Sequence, residues 1–210
     1  MLNFFVVGPL ALWAQYRVAQ RQERIRSTRK TTVAEARDGR LVWIEGTAHP
    51  GDDGAFRTAW TGRSAVWARI SVEAQTRGAG WLCRLKEKEE RNFVIEDPCG
   101  ATARVVIGGE LEVYCHQSDV TVFPLYGDID PKLVEFVQAR GWSLDEIRGG
   151  LAFTGVLRVT EECILSGEPV RVRGTVTRMD YSSDAYRGGT AAAITLEAKG
   201  GDGLFVTDRG

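Results

Sequence analysis

The side chains able to do chemistry in this 210-residue chain are four cysteines, two histidines and several carboxylate clusters. Cys83, Cys99 and Cys115 recur at sixteen-residue intervals, His116 adjoins Cys115, and Cys163 stands apart. A compact zinc site draws its ligands from close pairs such as C-x2-C, and no such pair occurs, so no metal site is predicted. Four cysteines are too sparse for a disulfide scaffold and read as reduced thiols, mostly on strands facing a core. His49 precedes Pro50-Gly51, and neither it nor His116 accompanies a G-x-S-x-G elbow or a cysteine-nucleophile signature, so no catalytic residue is predicted. No G-x-x-x-x-G-K-[ST] or G-x-G-x-x-G loop is present to cradle a phosphate, and no cofactor is expected.

The carboxylates gather at Asp52-Asp53, Glu87 to Glu90, Glu96-Asp97, Asp128/Asp130 and Glu161-Glu162. Gly51–Gly54 and Asp128–Asp130 could each offer oxygens to a hard cation, but neither has the ligand count of a calcium loop. Both read as turn chemistry. Phe56, Arg57, Trp60, Arg63, Trp67 and Arg69 interleave aromatic and guanidinium groups, an arrangement that can stack bases. The charge balance opposes nucleic acid as a partner: the whole chain is at −1 and the body is acidic.

That charge is unevenly placed. Residues 1–16 carry no charged side chain, and residues 17–40 hold eight basic groups (Arg17, Arg21, Arg24, Arg26, Arg29, Lys30, Arg37, Arg40) against Glu23, Glu35 and Asp38. Leu2–Ala14 is apolar; extended to Ala19 as a helix it would span about 27 Å, close to a bilayer's hydrocarbon core. Trp13 and Tyr16 would lie at the interface and Arg17 would snorkel. The reading is a single-pass N-terminal anchor over 1–19, followed by a basic juxtamembrane linker over 20–38. Its membrane-proximal arginines Arg17, Arg21, Arg24, Arg26 and Arg29, with Lys30, would favour anionic lipid. Arginines just after the span place the body in the cytoplasm.

The elements that must position the remaining side chains are mainly strands. Leu41–Glu45 closes at Gly46, and Ala65–Glu73 alternates Val66, Ala68, Ile70 and Val72 with Trp67, Arg69, Ser71 and Glu73. Trp81–Leu85 and Asn92–Glu96 read as flanking a solvated hairpin tip, Lys86–Arg91. Asp97-Pro98-Cys99-Gly100 has the residue order of a type I turn. Strands follow at 101–107, 111–115, 155–159, 170–173, 193–197 and 204–207. Between them lies a helical insertion, 130–148. Asp130-Pro131 starts one helix with Leu133, Phe136 and Val137 as its apolar stripe, and Ser143–Glu146 forms a capping box for another.

Gly39–Ala48 (GRLVWIEGTA) is echoed by Gly167–Val176 (GEPVRVRGTV), and Phe93–Asp97 by Leu204–Asp208. The expected fold is therefore mainly β (α+β): an OB-like barrel, or two related small β-barrels from halves 39–125 and 150–210, with a helical insertion. Gly46, Asp97, Gly100, Gly167 and Gly174 are its structural turns. Candidate binding residues are Lys86, Glu87, Glu90, Arg91 and Asp97 on one barrel edge, with Glu161 and Glu162 in a strand-to-turn setting as a second surface.

Several stretches resemble the GIDE, or "beside a membrane", domain of the mitochondrial E3 ubiquitin ligase family and its bacterial relatives. They are Thr31–Gly39 running into Leu41–Gly46, Thr61–Trp67, Phe93–Asp97 with Gly100 and Val105, and Glu161-Glu162 followed by Gly167-Glu168 and Val170–Gly174. The resemblance covers roughly 30–210 and implies a domain beside a membrane. The paired zinc ligands of the family's RING have no counterpart here, and no second apolar span follows Leu204–Asp208. The expected function is a membrane-anchored binding or scaffold module without its own catalysis, engaging lipids through its N-terminus and an unidentified protein partner. Alternatives are the substrate-holding part of a ubiquitin-like transfer system, or a carboxylate- or metal-dependent hydrolase.

Overall fold

The computed structural model describes residues 27–78, 80–108, 111–115, 118–124, 129–148, 153–178, 194–199 and 203–208. The anchor segment 1–19, Arg17, Arg21, Arg24 and Arg26, and also His116 and Asp128, lie outside them. Among the described residues no helix is long and apolar enough to cross a membrane.

The chain is mainly β. Strands β1 (Leu41–Pro50), β5 (Phe93–Glu96), β6 (Thr102–Val105), β11 (Ile194–Glu197) and β10 (Pro169–Arg178) pair in that order, and β10 returns to β1 to close a five-stranded barrel. Beyond β10 the sheet continues through β12 (Leu204–Thr207) to β7 (Leu111–Tyr114). A second sheet orders β2 (Phe56–Arg57), β3 (Ser64–Thr76), β9 (Phe153–Leu165) and β8 (Ser118–Phe123), with β4 (Trp81–Glu90) also paired to β3. Helices α1 (Pro131–Gln138) and α2 (Leu144–Arg148) bury Leu133, Phe136, Val137 and Ile147 against the second sheet's Ile70, Val72, Leu157 and Val159. Both caps form as predicted: the Asp130 carboxylate accepts the Lys132 N–H at 2.9 Å, and Glu146 accepts the Ser143 N–H at 2.7 Å.

The two echoing segments are β1 and β10, and they pair with each other. Ile44 lies opposite Val172, Val42 opposite Gly174 and Gly46 opposite Val170, so each copy's first valine faces the other's second glycine. The same relation carries β1–β5 onto β10–β11: Thr47 faces Glu96 as Thr175 faces Glu197, and Pro50 faces Phe93 as Arg178 faces Ile194. The counterpart of β5 is therefore β11, whereas the sequence echo pointed to β12. The echo builds one barrel, not two: strands from both halves fill one core around Ile44, Ile95, Val172 and Leu196. The two-barrel expectation fails because the closed barrel draws β1, β5 and β6 from the first half and β10 and β11 from the second, while the first half's other long strands, β3 and β4, join a separate sheet.

Two glycines permit the closure. At Gly46, β1 passes from the bridge between Trp43 and Lys30 to its pairing with β5, and a Cβ there would stand 2.2 Å from the Glu96 carbonyl oxygen. At Gly174, β10 passes from β12 to β11, and a Cβ would meet Leu204 Cδ1 at 3.0 Å and Glu197 N at 3.3 Å. Gly167 and Gly100 serve differently, turning the chain at φ 89° and 80°.

Two other expectations need correction. The described part of the 20–38 linker, residues 27–38, is not free: Val33 and Ala36 are each 1% exposed in the barrel core. A stretch whose apolar residues are only Val33, Ala34 and Ala36 has too few of them to set a period that would advertise its burial. Nor is Lys86–Arg91 a hairpin tip. Lys86–Glu90 continues β4, laddered to Ser71–Trp67, and the β3–β4 hairpin turns instead after Thr76, whose N–H donates to the Gly80 carbonyl at 2.8 Å. Alternating charge on both faces suits a sheet-edge strand, which it protects from further pairing.

Because the Gly46 clash is with backbone, Gly46→Ala is expected to cost about 3 kcal/mol or more. Gly54→Ala, at φ 69° with open space around it, should cost about 1 kcal/mol. Urea unfolding of both variants checks this.

Candidate functional site

Ile70 on β3 faces Glu87 of β4 on one side and Glu161 of β9 on the other, which in turn faces Asp119 of β8. The structure thus brings two of the predicted carboxylates, Glu87 and Glu161, into one row on the covered face of the second sheet. Here an open groove of about 460 Å³ has Phe56, Ala68 and Ile70 in its apolar wall and Glu87, Arg140 and Glu161 among its charged members. Glu87 holds Arg140 at 2.6 Å, and Arg140 also lies 3.7 Å from the Phe136 ring centroid.

Glu161 is not in a strand-to-turn setting but in mid-β9, 1% exposed. Its carboxylate accepts the Trp60 N–H at 2.7 Å, the Thr61 N–H at 3.0 Å and the Thr61 hydroxyl. These donors fold the 58–63 loop over the sheet and seat Trp60 edge-on to Phe123 and Phe136, with Lys132 Nζ 4.9 Å above the indole. Glu162, one residue on, points to the half-exposed opposite face and pairs with Arg69. A run of two glutamates on a strand must divide between two faces, one sealed and one wet.

The other predicted residues are equally committed. Arg91 donates to the Asp53 and Ala55 carbonyls at 2.8 and 3.3 Å and lies over the Phe56 ring, clamping the loop before β2. Glu90 pairs with Lys88 at 2.8 Å, and Lys86 is exposed on β4. Asp97 is 3% exposed: its carboxylate accepts the Cys99 and Ala101 N–H groups of its own turn and the Val33 N–H at 2.9 Å. It is a hub joining the β5–β6 turn to the N-terminal segment, with three backbone N–H groups on its two oxygens. The aromatic residues interleaved with arginine are also spent internally, since Phe56, Trp60 and Trp67 are buried.

The cysteines do not all face a core. Cys83 and Cys99 are exposed, Cys115 is half-buried and Cys163 is buried; all four are free thiols. Burial pushes the Cys163 thiol up to about 11 despite the nearby Arg63, and burial pushes Cys115 well above the ordinary thiol range. Among the described residues no cluster of three or more His, Cys, Asp or Glu could hold a metal.

A second depression, of about 720 Å³, was not anticipated. It is lined by Arg29, Arg37, Arg40 and Arg178, with Glu35, Thr31 and Val42 among its other members. Three chain segments converge on it, each pinned through backbone. Trp43 N–H donates to the Arg29 carbonyl, Val176 N–H to the Arg40 carbonyl, and Arg178 N–H to the Asp38 carboxylate at 2.8 Å. The basic run 17–40 contained three of these arginines. Arg178, far along the chain, gave no local signal.

Protein-family models, curated proteins and solved structures offer no match to this chain.

Glu161→Leu should cost about 3 kcal/mol, because it strands the buried Trp60 N–H and removes the acceptor of the Thr61 N–H and hydroxyl; Glu162→Gln should cost about 1 kcal/mol or less. Thermal or urea unfolding separates them. At pH 8, iodoacetamide should modify Cys83 and Cys99 about 100-fold faster than Cys115 and Cys163, since the thiolate is the nucleophile. Peptide mass spectrometry reads the four rates.

Proposed function

We propose that this chain is a membrane-tethered β module that binds and positions a partner at a bilayer and carries no chemistry of its own. The apolar segment 1–19 supplies the tether, the body sits on the cytoplasmic side, and the resemblance to GIDE domains is in keeping with that placement. The observation that carries the reading is the way the chain enters the fold. Thr31 N–H donates to the Trp43 carbonyl and Trp43 N–H to the Arg29 carbonyl, each at 2.9 Å. Lys30 pairs with Glu45 at 2.6 Å, Thr28 accepts from Arg173 at 3.0 Å, and Val33 enters the core.

With residues 28–33 laid against the barrel, the point at which a tether joins the body is fixed on one side of it. The Glu45 carboxyl is held below its ordinary range, chiefly by its hydrogen bond from Lys30 and with help from Arg171. That junction is therefore strongest above the unfolded glutamate's pKa and weakens as pH falls through the lowered one. In this reading a partner meets the charged edge strand β4 and the groove beside it, where apolar wall and paired charges lie side by side.

Flotation tests the tether. The full chain is expected to rise with neutral phosphatidylcholine vesicles in a density gradient, and the V7D/L10D variant to stay at the bottom. A full chain that remains at the bottom, or a variant that floats as well, would refute it.

A further inference from the structure

We propose that the groove formed by Arg29, Arg37, Arg40 and Arg178 is a binding site for a phosphate group, supplied by the headgroup of an anionic lipid. The lipid assignment rests on the membrane reading above; the phosphate site rests on the groove itself. Elsewhere in the body, Arg63, Arg69, Arg140, Arg158 and Arg171 each hold a carboxylate. Arg29, Arg37 and Arg40 are exposed and make no ion pair or side-chain hydrogen bond among the described residues. Arg178 uses one guanidinium nitrogen on the Ala36 carbonyl at 3.3 Å. The one carboxylate lining the groove is Glu35, at 3.5 Å from the Thr31 hydroxyl.

Four guanidinium groups against one carboxylate leave an excess of donors arranged around a depression. Each fork can hold two oxygens of a phosphate at once, a geometry that a water shell does not reproduce. The backbones beneath them are fixed by the barrel, so the cationic rim is preorganised. The groove's volume suits a headgroup larger than a bare ion. The described chain joins the barrel at this same rim, where Arg29 lines the groove and its carbonyl accepts the Trp43 N–H, so a tether N-terminal to it is attached beside the groove.

The test uses the full chain carrying V7D/L10D, so that tethering does not mask the groove. This protein should co-sediment with vesicles of equal parts phosphatidylglycerol and phosphatidylcholine and not with phosphatidylcholine alone. Adding R29Q/R37Q/R40Q should weaken that partition about 100-fold, at about 5-fold per arginine. A charge-matched control, R57Q/R77Q/K86Q, should retain it. Circular dichroism confirms folding of each variant.

Equal loss in both sets would mean diffuse attraction and overturn the site, as would partition unchanged by R29Q/R37Q/R40Q. Saturable binding of glycerol phosphate that is lost in R29Q/R37Q/R40Q, without vesicle binding, would keep the phosphate site and overturn the lipid source. Displacement from anionic vesicles by a single-stranded RNA oligomer at equal phosphate concentration would overturn it too. If V7D/L10D still binds neutral vesicles, the tether reading fails, while the difference between anionic and neutral vesicles still reports on the groove.

Discussion

The antiparallel pairing of β1 with β10 is the constraint on which the rest of the molecule depends. It closes the barrel, and it joins strands separated by most of the chain. Before this contact forms, a long loop must be ordered, so the entropy cost falls due ahead of the gain. Once formed, it aligns two copies of one local pattern about Ile44 and Val172; β5 then extends from β1 and β11 from β10, and β6 joins those two to complete the ring. The handover glycines follow from the same geometry. A barrel strand that changes partners on one edge must let another backbone approach closely, and at Gly46 and Gly174 a side chain would stand in that space.

The second sheet solves a different problem. Its covered face carries a fully buried carboxylate, which is tolerable only because three donors reach it. Glu161 thereby organises the 58–63 loop, Trp60 and, through Lys132, the start of α1. The opposite face is wet and laced with Arg69–Glu162 and Arg158–Glu73 pairs, which contribute little individually but keep an exposed sheet soluble. The two cores, one in the barrel and one beneath the helices, are thus stabilised in different ways: close-packed aliphatics in the first, aromatic packing around a satisfied polar hub in the second.

Charge is distributed with the same economy. Among the described residues, seven arginines of the body each pair with a carboxylate, whereas Arg29, Arg37 and Arg40 do not. The acidic surplus of the body and the basic surplus of its entry point are therefore spatially separate, and the molecule has a polarity that its near-zero net charge conceals.

What the sequence by itself determined is local. Alternation marked β3, Asp130-Pro131 and Ser143–Glu146 started their helices where they should, and Asp97–Gly100 formed its turn, because each depends on neighbours a few residues away. β8, whose alternating valines Val120 and Val122 face solvent, escaped notice, as did the burial of Val33 and Ala36. Tertiary structure alone decided which carboxylates were free. Glu161 and Asp97 looked like surface groups beside turns, and both are buried because backbone donors from distant segments converge on them. It also decided that two echoing segments pair instead of founding two barrels, and that Arg178 joins Arg37 and Arg40. Hydrogen-bond partners and charge clusters of this kind are set by which strands lie side by side, and strand order is a property of the closed sheet that no window of sequence contains.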